Sequence, residues 1–348
     1  MPDLRAFIFT FSFCARRRAG VCCLLLAFAL GGCAHLVPQT MTLRTAWPAG
    51  VARQVEVDGV PFFPQEQYQC GPAALATVLN HSGVQVTPEA LVDQVYLPAR
   101  QGSLQAEMLA TPRRYGRVSY PLAPRYDDLL REVAAGNPVL VLQDNGPLMT
   151  QWHYAVVAGF DYPAGELHLR SGTHQSLALP FTLFERTWMK SGYWAMVTVP
   201  PDRIPVTATE AGWLAAVVAM ERTGGRDAAT VAYTTALKRW PDNLPASIGL
   251  ANQYHAGGAL TKAEAVLRAA LARHPQSTVV LNNLAQTLSD QGRHQEALAQ
   301  IDRALQAPGP FAAEVGETRR LILQRLAARN PQGAKSRSKS AKSGSESH

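Results

Sequence analysis

The sequence predicts an α+β domain followed by an all-α solenoid. Three observations carry that expectation. Between residues 70 and 137 the apolar positions recur at helical spacing, and between 138 and 199 they fall in short β-patterned runs. Helices first and strands afterwards is an α+β order. From about 208 to 309 the strand signal stops and residue types recur every 34 positions, the signature of stacked helical hairpins. Finally, 348 residues with 47% hydrophobic and 17% charged content suffice for two cores, which excludes a disordered chain and a disulfide-stapled miniature domain.

The formal charge of +7 is located at the two ends of the chain. Arg5, Arg16, Arg17 and Arg18 dominate the start, and Lys335, Arg337, Lys339 and Lys342 the end, so the middle is close to neutral. Without a basic face, nucleic acid is excluded as a partner.

Residues 14–33, CARRRAGVCCLLLAFALGGC, carry three arginines, a short apolar run and small residues, the pattern of a secretory signal. The run is too short for a good spanning helix. Leu30-Gly31-Gly32-Cys33 resembles a bacterial lipobox, which implies a signal over 1–33, lipidation at Cys33 and anchoring at a bilayer. Ala34 and His35 place no aspartate second after that cysteine, which reads as an outer-membrane address facing the periplasm. Residues 34–55 are expected to be an irregular tether. Of the five cysteines, at 14, 22, 23, 33 and 70, only Cys70 then keeps a thiol in an oxidising compartment, so it must be buried or have a job.

The α+β domain is expected over 56–204. One helix follows Cys70 and ends at Ser82-Gly83; others open at Thr87-Pro88-Glu89, from Ser103 with Pro112 disturbing it, and over RYDDLLREVAAGN. Strands follow at 138–143, 153–160, 167–170 and 193–199. In the solenoid, Pro241 and Pro275 set the period; Ala229, Ala263 and Ala297 share one slot, Tyr233, Leu267 and Ile301 another, and Ala236, Ala270 and Ala304 a third. Met220, Tyr254 and Leu288 share a fourth. Small residues where helices touch and large ones beside them resemble the tetratricopeptide pattern in three copies over 208–309. Residues 310–330 read as a capping helix that covers the last groove, and 331–348 as a disordered tail.

The sharpest chemical signal is PFFPQEQYQCGPAALATVLNHSG at 61–83. Cys70 stands at a helix start, where the dipole and orphan N–H groups favour thiolate, so its pKa is expected to fall. Gln65, Gln67 or Gln69 can add a donor for an oxyanion. A thiol nucleophile needs a base. His81 ends the helix that Cys70 begins, ~16 Å away, and is excluded; His168 reads as an outward strand residue; His153 opens an apolar strand and is the best base. If YPAG at 162–165 is a turn, residues on the two strands pair with a sum near 326–327 and Ser171 to His174 return beside His153, whereas Asp161 is ~24–27 Å from it. Ser171 or Thr173 can then accept the imidazole N–H.

QCGPAALA, followed some 80 residues on by HYAVVAGFD, is similar to papain-like cysteine peptidases of the bacteriocin-processing, double-glycine leader type. The resemblance covers about 56–200 and implies a papain-like fold with Cys70 as nucleophile, His153 as general base and Gln65 as oxyanion donor. In such peptidases the glutamine stands six residues before the cysteine, where this chain has Pro64, and an Asp or Asn follows the histidine strand, where it has Ser171. The expected function is an envelope cysteine peptidase or amidase acting on a peptide or protein, with a protein partner in the repeat groove. The alternative is a catalytically idle scaffold that binds peptides. Neither needs a cofactor or a metal, since the chain has no phosphate-binding glycine loop and its histidines lack zinc spacing.

Overall fold

In the computed structural model, the described residues are 37–64, 70–146, 148–223, 225–306 and 310–329. They form two compact units, one holding residues 37–109, 121–198 and 205–207, the other 110–120, 199–204 and 208–329. The signal over 1–33 and the tail over 331–348 lie outside the described residues.

In chain order the elements up to residue 199 are α1 (Pro38–Thr45), β1 (Gln54–Glu56), α2 (Cys70–His81), α3 (Pro88–Val95), β2 (Tyr96–Leu97), β3 (Gly102–Ser103), α4 (Gln105–Arg114), β4 (Val118–Pro121), α5 (Tyr126–Ala134), β5 (Val139–Asp144), β6 (Trp152–Asp161), β7 (Glu166–Ser171), β8 (His174–Pro180), α6 (Phe181–Trp188) and β9 (Ala195–Val199). β6 is the centre of an antiparallel sheet with the order β9-β5-β6-β7-β8. Its ten residues span ~33 Å, so one edge holds two neighbours in succession: β5 along Trp152–Val157 and β1 along Gly159–Asp161.

Helix α2 is buried along Gly71–Leu79, which explains its near-continuous apolar sequence: a helix with no wet face has no polar stripe. It stops where expected. Gly83 takes φ +89°, its N–H donates to Asn80 and that of Val84 to Leu79, the pair of bonds that closes a helix through a left-handed glycine. Thr87 opens α3 with its hydroxyl accepting from the Ala90 N–H, and Pro88 takes the first turn. Pro112 is accommodated near the end of α4 and the helix runs two residues further.

One expectation is corrected. Of the tether expected over 34–55, the described residues 37–55 are not irregular throughout: Pro38–Thr45 is a helix with Thr40 and Leu43 buried, and Gln54–Glu56 is a strand on β6. The reason is a carboxylate from far along the chain. Glu185 of α6 is buried and accepts the N–H groups of Gln39 (2.9 Å) and Thr40 (2.6 Å), which caps a first turn that Val37 has no side chain to cap. The sequence reading also passed over β4 and β8, which are short, and α6, whose helical pattern Phe181, Phe184 and Trp188 lies in an eight-residue segment between strands.

The second unit contains the helices α7 (Glu210–Glu221), α8 (Arg226–Arg239), α9 (Leu244–Ala256), α10 (Leu260–Arg273), α11 (Thr278–Asp290), α12 (His294–Gln306) and α13 (Ala312–Arg329). Thr209, Asn243 and Ser277 cap α7, α9 and α11, each side chain accepting from the N–H three residues on. They are spaced by 34 residues. Gly258 and Gly292, also 34 apart, close α9 and α11 with positive φ. The alanine slots are buried, and the large residues Tyr233, Leu267 and Ile301 fill the space beside them. Tyr233 shows how the packing works. Its ring lies where a Cβ on Gly249 would stand, 2.4 Å away, so a bulky residue in one helix requires none in the next.

Candidate active site

Cys70 is the first residue of α2 and is half-buried. Burial pushes its thiol up from the ordinary value, while the backbone N–H groups of Tyr154, Gly71 and Cys70 itself pull the other way. The expected fall in pKa is therefore corrected: the helix start supplies the N–H donors, but loss of water outweighs them. Tyr154, whose backbone is among the groups that act on the thiol, stands at the start of β6, one residue beyond His153.

His153 is the second residue of β6, and burial lowers its basicity. Its Nε2 lies 2.8 Å from Oγ of Ser171. The strand register explains the reach. Val156 pairs with Arg170 and Val157 with Leu169, a sum of 326, and Ser171 then stands diagonally across from His153 at the end of β7. Ser171 is buried, so the bond is shielded from water. With Nε2 occupied by Ser171, Nδ1 is the ring nitrogen outside that bond.

The other histidines are held elsewhere. Nε2 of His81 is 3.1 Å from the Gly136 carbonyl, and Nδ1 of His168 is 2.8 Å from Glu56, beyond the far half of β6. Asp161 accepts from Gln54 and from the Ala164 N–H at the turn. Gln65 lies outside the described residues, as do Gln67, Gln69 and Cys33.

The sequence reading missed Ser103, although a signal was present. Gly71 directly follows Cys70, and an added Cβ there would come 2.1 Å from Oγ of Ser103, so the strand β3 presses on the helix start. The Ser103 carbonyl accepts from the Tyr154 hydroxyl at 3.2 Å, and the Ser103 hydroxyl is buried without a hydrogen-bond partner among the described residues. Also missed was Asp144. It accepts the N–H groups of Gly146 (3.0 Å) and Gln151 (2.8 Å) and pairs with Lys190 (3.2 Å), interactions that hold its carboxyl below the usual range and fix the turn leading into His153. Among the described residues no cluster of three or more histidine, cysteine or acidic side chains is placed to hold a metal ion.

Residues 57–196 match the Peptidase_C39 like family, and residues 224–277 and 254–310 match the tetratricopeptide repeat. The chain thus carries a peptidase C39-like domain followed by tetratricopeptide repeats. No curated protein matches it. Among solved structures, a C39-like peptidase from Bacillus anthracis is 18% identical, with 42% of this chain and 98% of that one covered and a TM-score of 0.37. A double-glycine motif protease from an AMS/PCAT transporter, in complex with the leader peptide, is 20% identical over 42% and 96%, with a TM-score of 0.31. The first tetratricopeptide domain of Spaghetti (RPAP3), bound to an HSP90 peptide, is 22% identical over 34% and 95%, with a TM-score of 0.32.

Proposed function

We propose that this protein is a cysteine peptidase or amidase of the cell envelope, lipid-anchored through Cys33 and facing the periplasm from the outer membrane, whose repeats recruit its substrate or a partner protein. Cys70 attacks the carbonyl carbon, His153 takes the thiol proton and returns it to the leaving amine, and water then cleaves the thioester. Gln65 and the Cys70 backbone N–H hold the oxyanion. Ser171 keeps the imidazole in one orientation and accepts its Nε2–H when Nδ1 serves as the base. The observation that carries this reading is the His153–Ser171 hydrogen bond, one residue before Tyr154, whose backbone favours the Cys70 thiolate. Burial acts on both partners in the same sense, favouring neutral thiol and neutral imidazole at rest. Proton transfer then accompanies attack rather than preceding it.

A second reading is favoured by the raised thiol: a peptide-binding scaffold that does no chemistry. The two separate in one assay. The full mature protein is incubated with a library of envelope-derived peptides, and new termini are read by mass spectrometry. The peptidase predicts cleavage that disappears in Cys70→Ala and in His153→Ala while both variants keep the wild-type melting temperature. Binding of peptides without any new terminus supports the scaffold.

A further inference from the structure

Two side chains stand out from the folded surface of the first unit: Leu148 is 98% exposed and Met149 83% exposed. They sit on the turn between β5 and β6 that Asp144 fixes. Trp152, where that turn enters β6 next to His153, is 50% exposed. Three apolar side chains grouped in this way at one end of β6 mark a surface for a partner.

The surroundings say which kind. Lys190 reaches this turn, its Nζ lying 3.2 Å from the Asp144 carboxylate and 3.4 Å from the Gly146 carbonyl. Leu183, 46% exposed, Arg186 and Lys190 lie three and four residues apart and share the outer side of α6 and the turn after it. Exposed apolar side chains thus stand near the cation of Arg186, while Lys190 is paired with Asp144, a composition compatible with a lipid headgroup layer. The anchor leads to the same place. Glu185 of α6 holds the first turn of α1, so the described chain begins, at Val37, against that helix. Only three residues separate Val37 from Cys33, at most ~14 Å of extended chain. Glu185 is on the buried side of α6, and five residues carry the chain ~8 Å along the axis to Lys190 on the outer side.

We propose that the turn carrying Leu148 and Met149, flanked by Trp152, Leu183, Arg186 and Lys190, inserts into the bilayer surface that holds the lipidated Cys33. This rests on the anchoring part of the proposed function. The start of β6, and with it His153, then faces the membrane, and the preferred substrates are peptide segments close to the lipid surface.

The test uses the full mature lipoprotein in vesicles of phosphatidylethanolamine with phosphatidylglycerol. In a Cys70→Ser background, Met149→Cys carries an environment-sensitive fluorophore. Ala164→Cys, in the exposed turn at the opposite end of β6, carries it as the control. The expected result is a blue shift and several-fold stronger quenching by doxyl-labelled lipids at 149 than at 164, lost when Leu148→Asp is added. Equal, weak quenching at both positions in vesicle-bound protein overturns the proposal. So does a shift that requires added peptide, which assigns the turn to substrate, or one that rises with protein concentration in lipid-free solution, which assigns it to a second copy. Intact mass reports lipid on Cys33 separately. If Cys33 is unmodified the anchoring reading falls, and quenching at 149 after adding the protein to vesicles from solution still decides whether the turn meets lipid.

Discussion

The hydrogen bond between His153 and Ser171 does part of what a carboxylate does: it fixes the ring, but a hydroxyl can donate or accept and brings no negative charge to stabilise an imidazolium. A neutral hydrogen bond contributes about 1 kcal/mol, so Ser171→Ala is expected to lower kcat/KM about fivefold, with KM little changed. Ser171→Asp should raise the basicity of His153 and shift the rising limb of the pH–rate profile upward. The wild-type limb should lie below the ordinary imidazole pKa, because burial keeps His153 neutral into more acidic solution. Alkylation of Cys70 by iodoacetamide should conversely accelerate only above the ordinary thiol range; a limb well below pH 8 would contradict the raised thiol. Gly71→Ala should disrupt the site, since its Cβ meets Ser103, and Ser103→Gly in the same chain should restore activity and melting temperature together. The place of Cys70 at a helix start and the return of Ser171 to His153 were legible from spacing and hairpin arithmetic. Ser103 and Asp144 were not, because one acts through a long-range contact and the other through a turn whose bonds are to backbone.

At the level of elements, polar groups at helix ends decide where the structure begins and stops. Ser277 and Asn243 each remove an orphan N–H, and Ser277→Ala is expected to cost about 1 kcal/mol, read from urea unfolding. Glu185 plays the same part for α1 from 145 residues away. Glu185→Ala should leave two buried N–H groups unsatisfied, so hydrogen exchange at Gln39 and Thr40 should rise by orders of magnitude while the β6 amides stay protected. Unchanged protection at Thr40 would contradict that account. The repeats were readable from alanine and proline spacing, and the caps at Thr209, Asn243 and Ser277 carry the same 34-residue period in a clearer chemical form. Helix α1 was unreadable for the opposite reason: PQTMTLRT has little helical preference of its own, and its stability comes from a carboxylate that no local window contains.

For the molecule as a whole, fold class and domain order followed from periodicity, and the near-neutral middle of the chain agrees with a protein whose partners are peptides rather than nucleic acid. No helix among the described residues is long and apolar enough to cross a membrane, so attachment falls to Cys33 in the proposed account. Cys33→Ala is expected to leave the chain without lipid and to release it from the membrane fraction on cell lysis; an unchanged membrane fraction would count against the anchor. The central claim is that Cys70 forms a thioester with a peptide. Its most direct measurement is interception: with a cleaved peptide and added hydroxylamine, the acyl half should emerge as the hydroxamate from wild-type protein and not from Cys70→Ala. Cleavage without hydroxamate at any hydroxylamine concentration, or equal hydroxamate from Cys70→Ala, would contradict it.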